Sequence, residues 1–83
     1  MTKTLAQKNI RLSLDFDRYV FKNPKILDLI PRGSEIVMTS ENDRELSDAN
    51  LSIVSNAKGG KFVVAHKSDS RWTIKPSVKA KKK

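Results

Sequence analysis

The sequence predicts a small α+β domain, and three observations carry that expectation. Apolar residues recur at helical spacing through the first twenty positions. Short β-branched runs follow later in the chain. The turn formers Pro and Gly fall between these segments and not inside them. The expected order is helix, short helix, strand, helix, strand, strand.

Leu5, Leu12, Phe16, Tyr19 and Val20 fall on one side of a helix, with Lys8, Arg11, Asp15, Arg18 and Lys22 on the other. Asp15 stands within reach of Arg11 and Arg18 for weak surface pairing. Asn23-Pro24 then restarts the chain, Asn23 as N-cap and Pro24 as the first helical residue of a short helix running from Lys25 to about Ile30. Pro31-Arg32-Gly33 forces a turn.

Glu35–Thr39 reads as the first strand. Asn42 with Glu45 resembles a capping box opening a helix, whose inner face is Leu46, Ala49, Ile53, Val54 and Ala57. Gly59-Gly60 is the expected left-handed stop. Lys61–Lys67 is the second strand around Phe62-Val63-Val64-Ala65, and Arg71–Lys75 the third, alternating cleanly until Pro76. Strand-helix-strand with short joints calls for a parallel, right-handed crossover, and the last two strands for an antiparallel hairpin. The expectation is therefore a three-stranded mixed sheet with helices mainly on one face. Strand order 1-2-3 is preferred, and insertion of the last strand between the other two is the alternative.

Eighty-three residues make one domain, read as residues 1–76, followed by a lysine-rich, solvated tail over 77–83. Without cysteine, neither disulfides nor thiolate metal sites can reinforce so small a core. The first residues hold no apolar run resembling a signal sequence. The longest apolar stretch, Phe62–Ala65, is far below the ~20 residues that span a bilayer. A soluble, cytoplasmic protein with no membrane partner is expected.

Charge is distributed unevenly. Positions 1–57 balance basic against acidic side chains. Positions 58–83 set nine basic groups against Asp69 alone, so this end carries the net charge of +8. A partner with negative charge is implied, nucleic acid before membrane.

The run Phe16-Asp17-Arg18-Tyr19, then Asn23-Pro24, then Ile30-Pro31-Arg32-Gly33-Ser34-Glu35-Ile36-Val37 resembles a small family of short bacterial proteins known only as a domain of unknown function. The likeness continues through Asp43-Arg44-Glu45-Leu46 and Asn50 into Phe62-Val63-Val64. It implies a shared fold and carries no activity.

No catalytic constellation stands out. Glu41, Asp43, Glu45 and Asp48 crowd the start of the second long helix, where its dipole favours negative charge, and no calcium-loop spacing accompanies them. His66 is the sole histidine and shares a strand face with Phe62 and Val64, so it reads as a half-buried structural imidazole. Gly59-Gly60 follows a helix and precedes a strand, the reverse of a phosphate cradle. No cofactor, metal site or enzymatic activity is expected.

The basic end is the candidate site. With Trp72 and Ile74 inward, Arg71 and Lys75 point outward. Lys61 and Lys67 flank the neighbouring strand, and Lys79, Lys81, Lys82 and Lys83 extend the charge, a set suited to phosphates without sequence readout. The alternative is that these lysines guard an edge strand and keep the protein soluble. A one-sided sheet would also present Val37, Val63 and Ala65 as an apolar strip for self-association, making the protein a homodimer, unless the first helix or the short one after it crosses to cover that face. The expected function is a non-enzymatic binding module with a basic hairpin and tail. The alternative is a protein-protein adaptor or regulator whose tail is incidental.

Overall fold

Leu5 and Phe16 are buried along a helix that runs from Lys3 to Lys22 (α1), with Leu12, Tyr19 and Val20 half-buried beside them, as the spacing requires. The structure, a computed structural model, describes residues 3–76. After α1 come a 3-10 helix (Pro24–Leu29), β1 (Glu35–Ser40), α2 (Arg44–Asn56), β2 (Phe62–Ser68) and β3 (Arg71–Pro76). This is the α+β order expected; the tail from Ser77 onward lies outside the described residues.

Three local signals resolve differently from expectation. Asn23 makes no side-chain cap to the 3-10 helix; its amide group donates instead to the Tyr19 carbonyl and closes α1. The N-cap of α2 is Asp43, not Asn42: its carboxylate accepts the Leu46 N–H at 3.0 Å, so no Asn42–Glu45 box forms. That helix ends at Asn56 with an extended Ala57, and Gly59-Gly60 is not its stop. Gly60 spends its left-handed φ of 103° in the turn that enters β2.

The strands lie in the order β1-β2-β3. β1 runs parallel to β2, with Val37 aligned to Val64 and Met38 to Ala65; β3 returns antiparallel, with Ala65 aligned to Ile74 and Lys67 to Trp72. Because side chains alternate, this register assigns the faces. Met38, Val63, Ala65, Trp72 and Ile74 share one. Val37, Thr39, Val64, His66 and the outward residues of β3 share the other.

α1 and the 3-10 helix cover the first face. Phe16, Ile26, Ala65 and Trp72 form the centre of the core, and Leu12, Tyr19, Val20, Ile30, Met38 and Ile74 pack around it. The Phe16 and Trp72 rings meet edge to face, centroids 5.0 Å apart.

α2 packs chiefly against β1. The Glu35 and Glu41 N–H groups donate across to the carbonyls of Lys61 and Lys67, so alternation turns the backbone of residues 36, 38 and 40 toward the outer edge. There α2 meets it with side chains. The Asn50 amide donates to the Met38 carbonyl at 2.8 Å. The Ser47 hydroxyl accepts the Ser40 N–H at 2.9 Å and donates to the Ser40 carbonyl at 3.0 Å. The edge of β1 is thereby closed to further strands.

This arrangement corrects the self-association strip. Val63 and Ala65 lie on the face under α1, whereas Val37, one step out of phase with them, lies on the opposite face. All three are buried, at 4%, 0% and 8% exposure. They belong to the interior of one chain and do not form an outward strip.

Candidate functional site

Trp72 is held inward by the core, and strand alternation then sends Arg71, Thr73 and Lys75 to the opposite face of the sheet, all three exposed. That face is open at β3 and covered at β1, where Val37 and Thr39 are buried. Across the ladder they stand beside Ser68, His66 and Val64 respectively. Among the described residues neither Arg71 nor Lys75 is in an ion pair. The hairpin that carries them turns at Asp69, whose φ of 58° is left-handed and whose N–H donates to the Glu41 carboxylate at 3.2 Å.

A shallow groove of about 400 Å³ lies between the end of β3 and α2, with Glu41 also in its lining. Thr39, Val64 and His66 contribute from the sheet, Arg44, Ser47 and Leu51 from α2, and Lys75 and Pro76 from β3. His66 is half-buried, with Nδ1 2.6 Å from Thr39 Oγ1. Arg44 reaches only a loose contact with Asp48, 3.8 Å on the exposed helix surface.

Lys67 does not belong to this face. It aligns with Trp72 and points under α1, where its ammonium lies 2.8 Å from Asp15 Oδ2. The Trp72 indole N–H donates to the same oxygen at 3.1 Å. Asp15 is thus tied by direct contact to the sheet, while Arg18 on its own helix adds only a weaker charge attraction. The hydrogen bond from Lys67 holds its carboxyl below the ordinary aspartate value, helped by the indole and opposed by partial burial. A second pair joins α1 to the start of α2, Lys8 to Asp43 at 3.0 Å, with Glu45 further off at 3.8 Å. Asp43 is held low, first by the Leu46 N–H and then by Lys8, and Lys8 is raised chiefly by its bond to Asp43.

Lys61 is exposed immediately before β2. Lys79, Lys81, Lys82 and Lys83 lie outside the described residues. The structure therefore brings Arg71 and Lys75 together on one face with Arg44 across the groove, and it takes Lys67 away. Among the described residues no group of three or more His, Cys, Asp or Glu side chains could hold a metal ion, and no helix is long and apolar enough to cross a membrane.

One surface went unread in the sequence. Ile10, Leu14 and Phe21 are exposed on the outer side of α1, at 60%, 56% and 87%. The signal was present in their spacing of four and seven residues, but the helix already had an apolar face, and its remaining positions were read as solvated charge.

Comparison with curated proteins and with solved structures gave no match. A family model does match, over residues 4–74, which is longer than the likeness traced from the motifs and reaches β3 as far as Ile74. Arg71 lies within the match, and Lys75 and the tail lie beyond it. From the start of α1 almost to the end of β3, then, the chain belongs to the family of unknown function DUF5647.

Proposed function

We propose that this chain is a non-enzymatic, cytoplasmic binding module whose open sheet face contacts an acidic partner, nucleic acid foremost. The observation that carries the reading is the pair Arg71 and Lys75, exposed on one face of β3 and outside any ion pair among the described residues. Cations so placed keep their full charge for phosphate oxygens, whereas Lys67 and Lys8 spend theirs on Asp15 and Asp43. Arg44 adds a third positive group across the groove, and the lysines at 79 and 81–83 follow directly in sequence. Backbone contact without base readout fits this set, since the only tryptophan is buried and unavailable for stacking. A cysteine-free chain suits a reducing cytoplasm.

The test is fluorescence anisotropy with short DNA and RNA across a salt series. Engagement of about five phosphates gives a log–log slope near −4.5 for duplex DNA and near −3.5 for single strands. Reversal of Arg71 and Lys75 to Glu abolishes binding, and removal of 79–83 flattens the slope. Lys67→Ala leaves the slope unchanged, because that ammonium is already neutralised. No binding at low salt would reduce the basic end to a solubility device.

A further inference from the structure

We propose that the outer side of α1 is a docking seam for an acidic helix of a partner protein. The surface is separate from the open sheet face, and this inference stands or falls without that reading. At about 100° per residue, Ile10, Leu14 and Phe21 project within roughly 40° of one another, away from the buried line of Leu5 and Phe16. Three large apolar side chains more than half exposed on one helix are a recognition surface without an occupant among the described residues.

The pattern specifies the occupant. Gln7, Ile10, Leu14, Asp17 and Phe21 follow alternating steps of three and four, the narrow seam of a two-helix coiled coil. A helix lying in a lipid surface needs a much wider apolar arc, and Asp17 interrupts this one. Along one flank, seven residues apart and hence at the same heptad position, run Arg11 and Arg18. Both are exposed and outside any ion pair among the described residues. Acidic side chains at the facing position of a partner helix would meet them, and a basic one would meet Asp17.

A second copy of this chain fits poorly. A symmetric antiparallel pair sets each flank against its own equivalent, so Arg11 and Arg18 would face the same arginines. A parallel pair would place Asp17 against Asp17. Charge complementarity therefore selects a different, acidic helix.

The probe is a synthetic three-heptad peptide with Leu along its seam, Glu on its flanks and one Lys in the layer opposite Asp17. A peptide of the same composition in scrambled order is the control. Fluorescence anisotropy is expected to show micromolar binding of the ordered peptide alone. Exchange of Arg11 and Arg18 for Glu weakens it by at least about tenfold, and a Lys-flanked peptide then regains binding to that variant. Leu14→Asp abolishes both interactions. All these positions are exposed, and circular dichroism verifies that each variant remains folded. The proposal is overturned by no binding at about 100 µM peptide, or by equal binding of the scrambled control. Indifference to the charge exchange overturns it too. So does attachment to anionic phosphatidylserine vesicles in place of the peptide, or a self-association that Leu14→Asp removes.

Discussion

Lys67 on β2 and Asp15 on α1 meet at 2.8 Å across the covered side of the sheet, and the indole N–H of Trp72 converges on the same carboxylate oxygen. One aspartate thus joins the first helix to both strands of the hairpin. It also neutralises the lysine that strand alternation places on the covered side of the sheet.

Asp15→Ala removes the acceptor for two donors and is expected to cost about 1–2 kcal/mol in urea denaturation, the modest end because the pair is partly solvated. Asp15→Asn retains an oxygen for Trp72 and loses less. Equal effects of the two substitutions would mean that the indole bond contributes nothing.

Acid should weaken the protein through Asp15 and Asp43. Both carboxyls are held below their ordinary value in the folded chain, so the unfolded chain takes up protons first. Their contribution is present above the ordinary carboxylate value of about 4 and is lost as pH falls through the lowered folded values. Lys8 acts in the opposite sense: its raised value gives a contribution complete below the ordinary lysine range and lost in strong alkali. Thermal melts between neutral pH and strong acid check the first part. The doubly substituted Asp15→Asn, Asp43→Asn chain should show a shallower decline than the parent; parallel curves would dismiss these two groups as its cause.

Asn50 is 4% exposed and supplies the donor for the outward Met38 carbonyl. Asn50→Leu keeps approximate volume and leaves that carbonyl buried without its donor, for an expected loss of about 2 kcal/mol. Because the substitution also reopens the outer edge of β1, the variant should aggregate more readily on light scattering. Unchanged stability and solubility would show that α2 closes the edge by packing alone.

Val63→Lys buries a charge beneath α1 and the 3-10 helix, so circular dichroism should report unfolding. A folded chain that merely changed its oligomeric state would contradict the interior placement of this residue. Val63→Ala, a milder cavity, is expected to cost roughly 2 kcal/mol and to remain folded.

The order of elements was legible because each is written locally. The seven- and four-residue apolar steps specify α1, the β-branched runs specify the strands, and Pro31-Arg32-Gly33 marks a turn whatever the rest of the chain does. Caps were less legible, because Asn42 and Asp43 carry the same chemistry one residue apart. Only the backbone path out of Ser40 decides that Asp43 reaches the Leu46 N–H.

Faces and partners were decided by tertiary structure. Val37 and Val63 look equivalent in sequence, yet the parallel register sets Val37 beside Val64 and puts the two on opposite sides. Lys67 and Lys75 are likewise two lysines of one hairpin. Their difference comes from alternation about Trp72 and from α1, which brings Asp15 over one side only. The sequence by itself determined which segments form and where the net charge accumulates, since both depend on neighbours along the chain. Which of those charges stays available for a partner, and which apolar residues stay uncovered on α1, depended on the packing of distant segments, and local sequence holds no record of that.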